Sequence, residues 1–523
     1  MRAVVLSASV ALVLAGTATA KTIVGTARGE TLTGTVHADS ILGRAGNDRL
    51  TGGRGADFLD GGPGRDLVSG GDGNDRIAVE YDGAHDRVSC GRGLDAVTAD
   101  TVDAVAADCE LVSRRLSHDP YTSSTDPDAQ HQSEVEPGSF TFGRTTVAAF
   151  QVGRRFDGGA VTIGFAVSRD DGRTWRSGLL PGLTTSSTPP GTAGRVSDPA
   201  VAYDSVHGVW LVTTLAIQND VTRLLLSRSS DGVAWSTPSI AAEAPNRGDI
   251  SFDKEWITCD NGPASPFKGR CYLVYSDVAH GDVIASKSSL DGGQTWSAQV
   301  QVSQTDGVGV MPVVRPDGQV VLVYLAHETR IESSVSADGG VSFTTPVVVS
   351  SVTVHPERGL RFPPLPGADV DAAGRVWATW HDCRFSAGCA SNSVVVATSA
   401  DARSWSDPAA VTSGRDAVIP TVGINRADGR AAIAYYTVRR TGIDLELVES
   451  RAGGTSWGVP RRLSAQSMNP EWLPHTASGR MLADYISLHF AAGRPLVVWT
   501  LASEPNAAAA SDSLRQAIYA TRG

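Results

Sequence analysis

No run of lysine or arginine interrupts the chain, and its formal net charge is -11. A polyanion partner is thereby excluded, because affinity for nucleic acid rests largely on neutralising phosphates. Beyond the first twenty residues, no apolar stretch reaches the ~20 residues that span a bilayer, so no membrane span is expected. The six cysteines form no paired CxxC, which leaves zinc without its usual spacing. From residue 133 onward there is no long helical periodicity, and the GxSxG string GTSWG at 454 lies inside a short Gly/Ser/Trp turn with no helical pattern after it, so Ser-His-Asp hydrolysis has little support. His381 and Asp382, being adjacent, would point to opposite faces of one strand.

What is present begins with MRAVVLSASVALVLAGTATA, one arginine, about ten apolar residues and an Ala18-Thr19-Ala20 ending. This reads as a secretory signal over 1–20 with Lys21 as the mature start, and it implies a secreted, extracellular protein. Export makes disulfides the expectation. Six cysteines allow fifteen connectivities. Pairing neighbours (Cys90 with Cys109, Cys259 with Cys271, Cys383 with Cys389) closes the shortest loops.

Residues 43–78 repeat every nine: GRAGNDRLT from 43, GGRGADFLD from 52, GGPGRDLVS from 61 and GGDGNDRIA from 70, after two weaker rows from 25 and 34. Glycines at the first, second and fourth places permit the positive φ of tight turns. One apolar residue per row (Leu50, Leu59, Val68, Ile77) supplies an inward side chain. A coil of this kind stacks Asp48, Asp57, Asp66 and Asp75 in columns, with Asp39 in the weaker row above. Carboxylates so close need a hard divalent cation, and calcium suits their oxygens. The segment resembles the RTX, or haemolysin-type, nonapeptide repeat. In that family two rows make one coil, which implies calcium between Asp48 and Asp66 and between Asp57 and Asp75. The expected layout is a disulfide-capped β-roll over 21–114, a linker or closing strand over 115–132 and a second domain over 133–523.

That second domain reads as all-β, with short runs such as VWLVTTLA, RCYLVYSD and RVWATWHD broken by Gly, Asp and Pro. A short motif recurs in it: SRDDGRTW at 168, SSDGVAW at 229, SLDGGQTW at 289, SADGGVSF at 336, SADARSW at 399 and SRAGGTSW at 450, the last with Ala452 in place of the aspartate. The carboxylate of such a hairpin turn accepts backbone N–H bonds while the ring packs beneath. These copies resemble the Asp-box, or BNR repeat, of sialidase-like β-propellers. Seven inner hairpins, beginning near Glu136, Asp198, Asp253, Met311, Pro363, Ile419 and Asp484, favour seven blades over six. A strand from about 117 to 132 is expected to complete the last blade.

The resemblance places an active site on the top face, in the segments holding Asp198, Asp253, Glu255, Glu328, Arg330, Asp382, Arg384, Tyr436, Arg439, Arg440, Arg480 and Tyr485. It implies arginines gripping a carboxylate, a tyrosine paired with a glutamate, and an aspartate acid, hence an exo-sialidase or related glycoside hydrolase. The candidate catalytic set is Asp198, Asp253, Glu255, Asp382, Arg384, Arg480 and Tyr485. A two-carboxylate hydrolase using Asp253 or Glu255 with Asp382 is the runner-up chemistry. The first blade lacks the Arg-Ile-Pro motif of sialidases and reads FGRTTVAAFQ. The alternative is a non-catalytic extracellular protein that binds a glycan or a protein, its carboxylates capping strand ends.

Overall fold

The computed structural model describes residues 19–122, 126–357, 359–451, 454, 456–505 and 513–523. The expected signal segment, up to residue 18, and much of the Ala452 hairpin lie outside the described residues. The chain is all-β, with only four three-residue 3₁₀ turns among the described residues. No described helix is long and apolar enough to cross a membrane. Two compact units are present: one holds Met1–Thr98 and Val102–Glu110, the other Ala99–Thr101 and Leu111–Gly523.

The first unit is a parallel β-roll. Residues pair eighteen apart, Ile23 with Ile41, Ile41 with Leu59 and Leu59 with Ile77 in one sheet, Leu32 with Leu50 and Leu50 with Val68 in the other. Two rows of nine therefore make one coil, and the eighth-place residues Leu50, Leu59, Val68 and Ile77 fill its core with no exposure. Stacking coils at strand spacing leaves no room for side chains at the turns. A Cβ on Gly62, whose φ is 75°, would lie 1.8 Å from the Arg44 carbonyl oxygen, and one on Gly71 2.0 Å from that of Gly53. The periodicity stretches to twenty between Val68 and Val88, yet the roll continues, and the Cys90–Cys109 disulfide joins its last coils.

The second unit consists of four-stranded antiparallel meanders, seven among the described residues. Their innermost strands are Ala129–Phe142, Arg195–Asp204, Phe252–Cys259, the latter half of Val300–Val314, Gly367–Val370, Asp416–Ile424 and Ser487–Ala491. Neighbouring meanders bury their faces on each other. Val147 and Ile163 of the first pack with Val201 and Val212 of the second, Val323 and Val335 of the fourth with Val376 and Trp380 of the fifth, and Trp377 of the fifth with Val422 and Ile433 of the sixth. The last also meets the first, since Leu496, Val498 and Ile518 share a core with Phe150 and Val152. The Cys259–Cys271 and Cys383–Cys389 disulfides each tie neighbouring segments within one meander.

The seventh meander has three strands of its own. Its fourth is Leu111–Arg115, antiparallel to Ser513–Arg522, with Ser113 opposite Thr521. The expected closing segment over 117–132 contributes to it only a parallel contact at His131, continued by Ser133 just beyond. Pro120 and Pro127 deprive that segment of backbone donors, whereas LVSRR keeps every one.

The recurring serine-aspartate hairpins share one set of bonds. In the third meander Asp291 Oδ1 accepts from the backbone N–H of Gln294 and Thr295 at 2.9 Å, and Ser289 Oγ donates to it at 2.8 Å. The same bonds recur around Asp170, Asp231, Asp338 and Asp401.

Candidate functional site

Five of the seven inner strands are interrupted by a bulge. Two residues face one across the hairpin between Val135 and Gly138, Ser197 and Ala200, Asp253 and Trp256, Val308 and Met311, and Val418 and Thr421. Inside each bulge one residue takes a left-handed φ: Glu136 at 54°, Asp198 at 46°, Lys254 at 49°, Gly309 at 65° and Ile419 at 51°. Four of the five are not glycine. Such conformations cost on the order of 1–3 kcal/mol each and persist where the structure needs a side chain re-aimed. The sequence shows the device as E-P-G, D-P-A, K-E-W, G-V-M and I-P-T, with Leu365-Pro366-Gly367 at the matching place of the fifth meander.

The bulges bring distant charges together. Lys254 Nζ lies 2.9 Å from Asp198 Oδ1, 2.7 Å from Asp484 Oδ2 and 3.3 Å from Glu136 Oε1. Arg361 Nε donates to Asp484 Oδ1 at 3.0 Å, with a second bond to Oδ2. Arg154 is buried beside them and donates to the Gly159 carbonyl at 2.8 Å. Burial opposes a charge on Lys254, but Asp198, Asp484 and Glu136 outweigh it and hold its ammonium well above the usual range. Burial likewise works against the Asp484 carboxylate, and Lys254 and Arg361 hold it well below the usual range. Glu136 is pushed by burial up to about 8 and Asp253 to about 6.

Two members of the cluster have no partner. Both carboxyl oxygens of Glu255 and the hydroxyl of Tyr485 are buried without a hydrogen bond. Burial, then the Asp198 charge, pushes the Glu255 carboxyl well above the usual range. Burial and the surrounding carboxylates keep the Tyr485 phenol protonated. Its ring stands edge-on to Trp256, centroids 5.1 Å apart. Lys254, Glu255, Gly309, Leu365 and Tyr485 line a cavity of ≈ 20 Å³, room for about one water.

In the roll, the sixth-place aspartates are almost fully buried and form a ladder. The backbone N–H of Asp39 donates to Asp57 Oδ1 at 2.7 Å, that of Asp48 to Asp66 Oδ1 at 2.7 Å and that of Asp57 to Asp75 Oδ1 at 2.9 Å. Oδ2 of Asp48, Asp57, Asp66 and Asp75 is buried with no partner. Burial pushes Asp66 up to about 7 and Asp75 to about 6. A column of orphaned carboxylate oxygens is the donor set that a calcium ion takes, and its charge would return those carboxylates to their ionised form. The ladder also runs on to Asp86 and Asp95, which accept from the N–H of Asp66 and Asp75 at 2.7 Å. The two-residue stretch of the period hid both from a count by nine, although D-R-V at 86 and D-A-V at 95 keep the local pattern.

Residues 24–77 are RTX repeats. They match the RTX calcium-binding nonapeptide repeat, four copies, over 24–59 and 42–77. Comparison with curated proteins finds no match for the whole chain. Solved structures similar to it include a Hadza microbial sialidase at 16% identity, covering 62% of this chain and 66% of that one, TM-score 0.42. The leech intramolecular trans-sialidase matches at 12% identity over 67% of this chain and 70% of its own, TM-score 0.44. The α-L-arabinofuranosidase from Fusarium graminearum matches at 13% over 64% and 96%, TM-score 0.44. The chain thus spans less than two thirds of the Hadza enzyme.

Outside the RTX roll, the residues expected in a catalytic site part company. Asp198, Asp253, Glu255 and Tyr485 meet around Lys254. Asp382 instead binds Arg384, whose Nε donates to both its oxygens at 3.0 Å and whose Nη2 reaches Ser350 Oγ at 2.9 Å. Arg480 donates to the Leu473 carbonyl at 2.7 Å and pairs with Glu471. Tyr436 donates to the Thr500 carbonyl at 2.8 Å, Arg439 pairs with Glu446 and Arg330 with Glu332 at 3.2 Å. Glu136, Arg154, Lys254, Arg361 and Asp484 join the cluster unannounced by any family motif. Only the bulge tripeptides pointed to the first and third.

Proposed function

We propose that residues 111–523 form a seven-bladed, Asp-box β-propeller of an exported, calcium-loaded, glycan-directed protein that hydrolyses glycosidic bonds at the cluster around Lys254. The three disulfides and the RTX roll support export, because cytosol is reducing and poor in calcium. Closure of the meanders, last on first, supports the propeller. The observation that carries the chemistry is the pair of buried, unpartnered groups, Glu255 and Tyr485, beside a dense charge cluster. Buried polar groups are nearly always hydrogen-bonded, so two left without partners beside a dense charge cluster mark a candidate functional site.

A carboxyl that burial favours in its protonated form, as Glu255 is, suits the general acid a glycosidic oxygen needs, and Asp253, ionised above about 6, is the second carboxylate. A protonated Tyr485 is a donor to a sugar oxygen rather than a nucleophile. Arg361 and Lys254 face carboxylates already, Arg154 donates to the Gly159 carbonyl and the Met481 sulfur, and no sequence-expected arginine joins them, so the cluster does not present three free arginines to grip an anionic sugar. A neutral glycoside therefore fits better than a sialoside.

The test is turnover of a fluorogenic panel, a sialoside beside neutral pyranosides and furanosides, with calcium present. Glu255→Gln is expected to lower kcat/KM by about 10²-fold or more, and Tyr485→Phe by less. The engaged state of Arg384, Arg439 and Arg480 favours a second reading, a glycan-binding protein without catalysis. Retention on a glycan array with no turnover by wild type on any substrate would establish that reading instead.

A further inference from the structure

Beyond the RTX roll and the cluster around Lys254, His355, Glu357 and Asp416 place one imidazole nitrogen and two carboxylate oxygens within 4.8 Å of one another. They come from two separate parts of the chain, His355 and Glu357 from the segment between the fourth and fifth meanders and Asp416 from the start of the sixth. Two carboxyl groups in hydrogen-bond contact, as Glu357 and Asp416 are, need either a shared proton or a cation between them.

Residues outside the trio orient it as metal ligands are oriented. His355 Nδ1 is 3.0 Å from the Cys389 carbonyl oxygen, which can only accept, so Nδ1 carries the proton and Nε2 presents a lone pair. Asn392 donates from its backbone N–H and from Nδ2 to Asp416 Oδ1, both at 2.9 Å, and from Nδ2 to the His355 carbonyl at 2.8 Å. One side chain thus clamps two of the three ligands. The Cys383–Cys389 disulfide fixes the carbonyl that sets the histidine tautomer.

A second histidine points the same way. His381 is 1% exposed, and its Nδ1 has no hydrogen-bond partner. It shares a strand face with Trp377, whose ring packs on Val422 and Ile424 of the strand that Asp416 opens. The imidazole thus lies on the Asp416 side of its sheet and within the field of that carboxylate.

We propose that His355, Glu357 and Asp416 bind one divalent first-row transition ion of the zinc class. Imidazole nitrogen with carboxylate oxygen suits such an ion, whereas calcium takes oxygen alone. The site is separate in chemistry from the RTX calcium column.

The experiment uses the full chain in calcium-saturating buffer, so that the roll's carboxylates are occupied, and titrates zinc against a competing chelator. Wild type is expected to hold one zinc per chain, and His355→Ala and Glu357→Gln to weaken it at least about 10-fold with unchanged circular dichroism. Cobalt, substituted for zinc, should give visible d–d bands that disappear in His355→Ala. Equal zinc affinity in wild type and both variants would overturn the proposal, as would a wild type that binds no zinc.

Discussion

At the residue scale, Lys254 does most of the electrostatic accounting. Its ammonium answers three buried carboxylates, Glu136, Asp198 and Asp484. Removing one partner from a buried ion cluster leaves charges without compensation, so Lys254→Met is expected to destabilise the second unit by roughly 3–5 kcal/mol. Urea denaturation would read it, and a change under about 1 kcal/mol would contradict the cluster as drawn. The hairpin aspartates give a contrasting sign. Burial works slightly against the Asp291 carboxylate, but bonds from Thr295 and Ser289 hold it at about 2, below its ordinary 3.8. A depressed carboxyl contributes stability that is present above the unfolded value and lost as pH falls through the folded one. The stability gap between wild type and Asp291→Asn should therefore be full above pH 4 and close toward pH 2.

At the element scale, the roll and the meanders differ in what they tolerate. A roll coil is held by strand spacing at its turns, and Gly62 and Gly71 sit where a Cβ would strike the carbonyl of the coil beneath. Gly62→Ala and Gly71→Ala are each expected to weaken calcium-dependent folding of the roll, raising the calcium midpoint of its circular-dichroism transition several-fold. An unchanged midpoint would mean that the coils stack less tightly than drawn. The meanders accept bulges, because each inner strand is paired along most of its length on one edge only and the extra residue projects away from the ladder. This is why acidic and basic side chains from four meanders can converge while the hairpin pattern of each stays intact.

At the scale of the whole molecule, the two units should answer pH and chelation differently. Asp66 and Asp75 have folded values of about 7 and about 6, raised by burial in the absence of a cation. A carboxyl raised on folding contributes stability that is complete below its unfolded value near 3.8 and is lost as pH rises through the folded value. With chelator, the roll should thus be protected from proteolysis near pH 4 to 5 and opened above pH 7, while with calcium it should stay closed at pH 7.5. The second unit should remain resistant to protease with chelator at pH 7.5. Equal protection of the roll at pH 7.5 with and without calcium would remove the ion from its fold.

The sequence by itself determined the repeating parts. The nine-residue rows prescribed the roll, its core of Leu50, Leu59, Val68 and Ile77 and its ladder from Asp39 to Asp75, because a period specifies which residues stack without reference to anything distant. The all-β character of the second unit, its hairpin turns and the neighbour pairing of the six cysteines were legible for the same reason, each being a local arrangement. Asp86 and Asp95 escaped because two extra residues broke the count while the backbone ladder absorbed them. Which polar residues meet was decided only in three dimensions. Arg384 and Asp382 are two apart and satisfy each other, whereas Glu136, Asp198, Lys254, Arg361 and Asp484 are separated by up to several meanders and meet because closure brings three bulges and the segments of Arg361 and Asp484 to one place. A charge's partner depends on distance through space, and no spacing along the chain encodes that distance until the last strand has closed on the first.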